Sequence, residues 1–318
     1  MLITRPSFSR WNQNVTCVWG VTSSIDKVIR QLEIGRVELL PDLHSAHSII
    51  MTSDYGGQHK QAVYESFSFL IADLGRCARW DEERLAVRAE FFRDNRRMSY
   101  KALNDRKKQR ALLPFLAAAN LIPGLLATVL VRKEFKDSLR PTPDERLQIP
   151  SAFSTWPSQT LTKMAFVSHL GALFVAGLSA SGQNVVWLSD NDDFLANDQR
   201  VIDLTPIIAG IMSGYVGHGL GHFRLGTMKC DAGDLLIEDL TSIPDLVSGA
   251  ASEIPLRGTL RSQSRVLVPL RDHLSPKALT VLNWMGQEGT DLKRLLLTVD
   301  FGDKPSTIKV KALELYPE

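Results

Sequence analysis

Cysteine is scarce and unpaired in this sequence. There are three in 318 residues, Cys17, Cys77 and Cys230, with no Cys-x-x-Cys among them. That excludes a disulfide framework and a cysteine zinc ribbon and suits a reducing compartment, so a cytoplasmic location is expected. An excess of one charge is missing too: the formal net charge is +2, which alone selects neither for nor against a polyanionic partner. No Gly-x-Ser-x-Gly elbow is present. The stretch Gly217-His218-Gly219-Leu220-Gly221 has glycines without the Lys-Ser/Thr of a phosphate loop, and Gly56-Gly57 is too short for a dinucleotide fingerprint. The first residues, MLITRPSFSRWNQ, carry no apolar run behind a basic start, so no secretory signal is expected. There is no internal repeat and no low-complexity segment.

Two uncharged stretches, 111–131 and 164–188, reach the length of a membrane span. Ile122-Pro123-Gly124 breaks the first and Ser179-Ala180-Ser181-Gly182 the second, so each reads as an apolar helix followed by a buried strand, and no membrane is expected. Hydrophobic content of 44% and charged content of 23% are ordinary for a globular chain with a sizeable core. The basic residues are unevenly spread: Arg93, Arg96, Arg97, Lys101, Arg106, Lys107, Lys108 and Arg110 form a dense run. Such a run can lead a polyanion to a site, and it also reads as a solvated helix face.

Periodicity and punctuation order the elements. Residues 1–47 read as an N-terminal extension with one helix, capped by Ser23-Ser24, over 25–33. A buried strand over 48–53 ends at the acidic turn Ser53-Asp54-Tyr55-Gly56-Gly57. It is joined as a hairpin to a second strand over 62–72, with Tyr64, Ser66, Ser68 and Leu70 on one face. A helix over 80–92, a short strand over 98–103, a helix capped by Asn104 or Asp105 and a strand over 125–131 follow. Residues 136–150 read as a loop, then come a helix from Trp156-Pro157-Ser158, a strand over 184–189 and a helix over 197–216. Residues 223–228 and 235–240 look β-like, and Ile243-Pro244-Asp245 opens another helix. The tail, 256–318, ends in a hairpin around Gly302-Asp303-Lys304-Pro305. The expectation is an α/β domain over 48–255, with a mixed sheet opened by a β-hairpin and helices on both faces.

Three acidic spots fall at element ends: Asp54, the pair Asp190 and Asp192, and Asp245. Carboxylates gathered on one edge of a sheet suit Mg²⁺ or Mn²⁺, which take oxygen ligands and can activate water for phosphodiester cleavage. Each acid has a plainer reading: Asp54 as turn chemistry, Asp190 and Asp192 as a solvated capping loop, Asp245 as a dipole-friendly first-turn acid. His218 and His222 have a four-residue spacing, but the glycines between them argue for a loop and no third ligand is evident.

The strand–Asp–turn–hairpin opening, IIMTSDYGG followed by YESFSFLIAD, resembles the bacterial family called domain of unknown function 3800. Ser99-Tyr100-Lys101-Ala102-Leu103 sits where that family has a Lys motif, residues 185–190 match its later strand, and Pro244-Asp245-Leu246-Val247-Ser248-Gly249-Ala250 its closing segment. The resemblance covers residues 48–253. It implies an RNase H-like fold and a divalent-metal-dependent nuclease or related hydrolase acting on nucleic acid. Asp54, Asp190 and Asp245 would hold the metal with Asp192 as a substitute, and Lys101 would contact phosphate or orient a carboxylate. Tyr55 stands where the family has an acid. That departure, together with Tyr100 where the family often has an acid before its Lys, motivates the alternative, a non-catalytic module on the same scaffold that docks a protein or nucleic acid.

Overall fold

The opening hairpin is longer than its sequence signal. In the computed structural model, β1 (Ser48–Gly56) runs through Asp54 and Tyr55 and pairs antiparallel with β2 (Tyr64–Asp73), Asp54 lying opposite Ser68. Asp54 is therefore a strand residue rather than a turn residue. The turn is displaced to Gly57, whose φ of 78° lies in the left-handed region that favours glycine. The structure describes residues 9–93, 95–147, 150, 153–189, 195–231, 233–254, 265–270, 274–288, 290–304 and 307–317.

Ahead of the hairpin lies α1 (Gly20–Gly35); after it come α2 (Ala78–Phe91), α3 (Arg106–Ala119) and β3 (Gly124–Arg132). Two short helices, α4 (Lys133–Ser138) and α5 (Pro143–Leu147), precede α6 (Ser158–Leu178) and β4 (Asn184–Ser189). Then follow α7 (Asp198–Tyr215), β5 (Phe223–Thr227), α8 (Leu236–Ala251), β6 (Arg265–Leu270), α9 (Pro276–Met285), β7 (Leu292–Phe301) and β8 (Ile308–Pro317). The eight strands form one mixed sheet in the order β5-β4-β1-β2-β3-β7-β8-β6. β1, β2 and β3 are an antiparallel meander. On the far side of β1, β4 and then β5 run parallel to it. β7 lies parallel to β3, so the closing hairpin continues the sheet that the opening hairpin begins.

Successive strand side chains point to opposite faces, and β1 shows what each face meets. Ile49 and Met51 enter a core built with α1, α6 and α7. Ile50 enters a second core built with α2, α3, α8 and α9. The protein is thus α/β, a mixed sheet with helices on both faces. α6 is long and apolar enough to cross a membrane, and most of it is buried in the first core. Both uncharged stretches divide into helix and strand where Pro and Gly punctuate them, as α3–β3 and α6–β4.

Four expectations change. The strand foreseen at 98–103 is a 3-10 turn at Tyr100–Ala102, because its polar groups bond to α8 rather than to a sheet edge. The β-like run at 235–240 is the start of α8: upstream, the Asp231 carboxylate accepts from the amides of Ile237 and Glu238 at 3.0 and 3.2 Å. That capping draws the helix start back from Ile243. The loop at 136–150 contains part of α4 and all of α5, the latter opened by a capping box in which Thr142 and Glu145 bond each other's amides at 2.8 and 3.3 Å. At α1 the Ser23-Ser24 cap is not used; the helix starts at Gly20, and Ser24 Oγ donates back to the Gly20 carbonyl. Asp105 does cap α3, accepting from the amides of Lys107 and Lys108 at 2.8 and 3.2 Å.

Candidate functional site

The α8 side of β1 carries Thr52 and Asp54 toward the helix. Thr52 Oγ1 donates to the Leu240 carbonyl at 3.2 Å, and Ser248, two turns along α8, donates its hydroxyl to Asp54 Oδ2. Asp54 is only 8% exposed, so an ionised carboxylate there requires such a donor. The Ser248 hydroxyl also lies 3.2 Å from the Asp245 carbonyl, and the Ser248 carbonyl accepts from Ser66 Oγ at 2.7 Å. Beside Asp54 on the sheet, Ser68 and Thr128 pair their hydroxyls at 2.9 Å. Serine and threonine therefore form a small polar patch under α8 within an otherwise apolar core.

Asp245 stands one helical turn before Ser248. Its Oδ2 accepts from the Tyr100 amide at 2.9 Å, which brings the segment between α2 and α3 onto α8. The Tyr100 ring lies on the backbone of Gly249, where a Cβ would collide with it. The Tyr100 hydroxyl donates to Glu253 Oε1 at 2.5 Å, and Lys277 Nζ sits 4.3 Å from the ring centre. Burial, and then the Glu253 carboxylate, push the Tyr100 phenol well above its ordinary range. Lys101 follows directly and is exposed. Burial lowers the Lys108 ammonium, while Asp105 and Asp245 act in the opposite direction.

At its C-terminal end β1 meets β4, with Ser53 paired in parallel to Ser189. Tyr55 closes this corner from the face opposite Asp54: its hydroxyl bonds Ser53 Oγ at 2.7 Å and Ser189 Oγ at 3.2 Å. Its ring packs near Phe67 and Phe69, with Lys163 Nζ 5.2 Å from its centre. A carboxylate at position 55 would therefore enter the α6 side of the sheet, away from Asp54.

The structure thus joins Asp54 to α8 through Ser248, one helical turn after Asp245, while the Asp245 carboxylate itself is held by the amide of Tyr100, the residue before Lys101. Asp190 and Asp192 lie outside the described residues. Among the described residues, no group of three or more His, Cys, Asp or Glu side chains could hold a metal ion. His218 Nε2 bonds Ser179 Oγ at 3.1 Å, and the His222 amide donates to Asn184 Oδ1.

Sequence reasoning quoted Ser248 only as part of a resembling segment and missed its role as the donor to Asp54, and it missed the Tyr100 amide. It also missed two buried ion pairs: Lys136 Nζ with Glu65 Oε2 at 2.7 Å, and Asp239 with Arg88 at 2.5 and 2.7 Å, reinforced by Arg84 at 3.3 Å. The second pair ties α2 to α8. A lone buried charge is costly, so each of these ions demands its partner. Sequence signals each charge but not which two will meet. No protein-family model, curated protein or solved structure matches the chain.

Proposed function

We propose that the protein is a divalent-metal-dependent nuclease, or a related phosphodiester-cleaving enzyme, of RNase H-like fold. The observation that carries the reading is the hydrogen bond to the Asp54 carboxylate, near the end of β1, from Ser248, which stands one turn after Asp245 on α8. The hairpin-led meander with β4 and β5 parallel to β1 supports the fold assignment. β4 ends at Ser189 beside Ser53, and the next residue in the chain is Asp190.

Carboxylates and a serine hydroxyl are oxygen donors suited to Mg²⁺ or Mn²⁺. Asp54 and Asp245 supply two carboxylates, and Asp190 or Asp192 must complete the set. When bound, such an ion activates water and stabilises a leaving oxygen. The remaining duties fall to the chain itself. Ser248 orients the Asp54 carboxylate, the Tyr100 amide holds that of Asp245, and Lys101 meets a substrate phosphate. The exposed cations of the 93–110 run attract the nucleic-acid backbone.

A second reading, a non-catalytic binding module, draws support from Tyr55, which faces away from Asp54 and supplies no acid to it. Labelled single- and double-stranded DNA and RNA, incubated with the protein and Mg²⁺ or Mn²⁺, separate the two. The nuclease reading expects cleavage that chelation stops and Asp54→Asn abolishes. Absence of cleavage supports the binding module instead, and cleavage unchanged in Asp54→Asn overturns the role given to Asp54.

A further inference from the structure

The last turn of α2 and the first turns of α3 enclose a cleft of about 360 Å³, lined by Glu90, Phe91, Arg93, Lys107 and Arg110. The three cations among its described lining residues come from both sides of the helical pair. Arg93 folds back so that Nε donates to the Ala89 carbonyl at 3.0 Å, which fixes its guanidinium at the end of α2. Lys107 and Arg110 stand one turn apart on α3. The amides at the start of α3 are already taken by Asp105, so side-chain charge rather than the helix end attracts an anion here. Phe91 is half-buried: one part of its ring packs on the α8-side core, and it also lines the cleft. The intervening chain carries Arg97 and Lys101 and delivers Tyr100 to Asp245, so the cleft and the acid pair share one continuous segment.

Cations flanking one anchored aromatic ring match a single strand of nucleic acid, whose phosphates need charge and whose unpaired bases need a stacking face. A duplex would engage the cations but leave Phe91 without a base, because its bases are stacked on one another. We infer that the α2–α3 cleft binds single-stranded nucleic acid, with phosphates on Arg93, Lys107 and Arg110 and a base stacked on Phe91. The choice of a nucleic acid as the polyanion rests on the proposed phosphodiester chemistry. Glu90, the one acid among the described residues that line the cleft, opposes this binding and limits its strength.

The test is fluorescence polarisation of labelled single-stranded DNA, single-stranded RNA and duplex DNA with the full chain in EDTA, across a salt series. Chelation keeps the readout independent of cleavage. Both single strands are expected to bind more tightly than the duplex. The combined Arg93→Ala, Lys107→Ala, Arg110→Ala variant should bind at least tenfold more weakly, and its salt slope should be shallower by about two units for three lost phosphate contacts. Phe91→Leu, which keeps an apolar contact to the core, should weaken single-strand binding roughly fivefold or more and leave duplex binding unchanged. Glu90→Gln should tighten binding. Tighter binding of the duplex, or single-strand binding unaltered in the triple variant, overturns the inference. If binding follows these expectations but no cleavage occurs with metal, the inference stands and the nuclease reading falls.

Discussion

A carboxylate that is 8% exposed near the end of a strand must find a donor, and Asp54 finds Ser248. Removing that donor leaves a buried charged acceptor short of one hydrogen bond, a loss of about 2 kcal/mol. Ser248→Ala should therefore lower the unfolding free energy by about that amount in urea titrations, and Asp54→Asn should recover part of it by removing the charge. Equal stability of Ser248→Ala and the wild type would remove Ser248 from the site. Asp54 was legible in the sequence because an acid near a strand end is conspicuous, whereas Asp245, read as a first-turn acid, lies in the middle of α8, which already begins at Leu236. The role of Ser248 was not legible, since a serine inside a helix carries no signal until its neighbour across the sheet is known. The same holds for the Tyr100 amide, which every residue except proline possesses. Tyr55 was legible as a departure from the resembled motif, but its direction followed only from the strand continuing past Asp54 and sending the two side chains to opposite faces.

Among the elements, the strands of the central meander and the long helices were readable because apolar periodicity and Pro/Gly punctuation agree there. The exceptions have local causes. The 235–240 run contains Leu235, Leu236, Ile237 and Leu240, which suit a strand, but Asp231 caps the chain as a helix from several residues upstream. The 98–103 run buries Met98 and Leu103 without forming a ladder. The capping box at Thr142 and Glu145 opens a helix in a stretch that reads as a loop because proline and charge dominate it.

Three helices on the other face meet at a polar junction that pH should probe. Tyr215 of α7 places its hydroxyl 2.8 Å from both Thr22 Oγ1 of α1 and His169 Nδ1 of α6. Burial lowers the His169 imidazole below its ordinary 6.5. As pH falls, the unfolded chain takes up this proton before the folded one does. The contribution to stability is thus fully present above 6.5 and lost progressively below it. Urea midpoints of the wild type should fall more steeply on acidification than those of His169→Gln; parallel profiles would contradict this.

At the scale of the whole molecule, the sheet order decides which acids can cooperate. β1 lies between β2 and β4, and α8 crosses the face that Asp54 occupies, so Asp54 and Ser248, 194 positions apart, are joined by one hydrogen bond. The terminal segments belong to the same architecture: α1 packs against β8, and β7 extends the sheet from β3. A sheet of mixed direction was readable from the hairpin followed by alternating helices and strands. The place of β7 beside β3 was not, because strand partners distant in sequence leave no local trace. The central claim is that Asp54, Asp245 and the acids after β4 form one metal site, and it is tested most directly by titrating Mn²⁺ into the protein with electron paramagnetic resonance detection. The account predicts saturable binding in the wild type that is lost in Asp54→Asn, Asp190→Asn and Asp245→Asn. Absence of binding, or binding unchanged in Asp54→Asn, would contradict it.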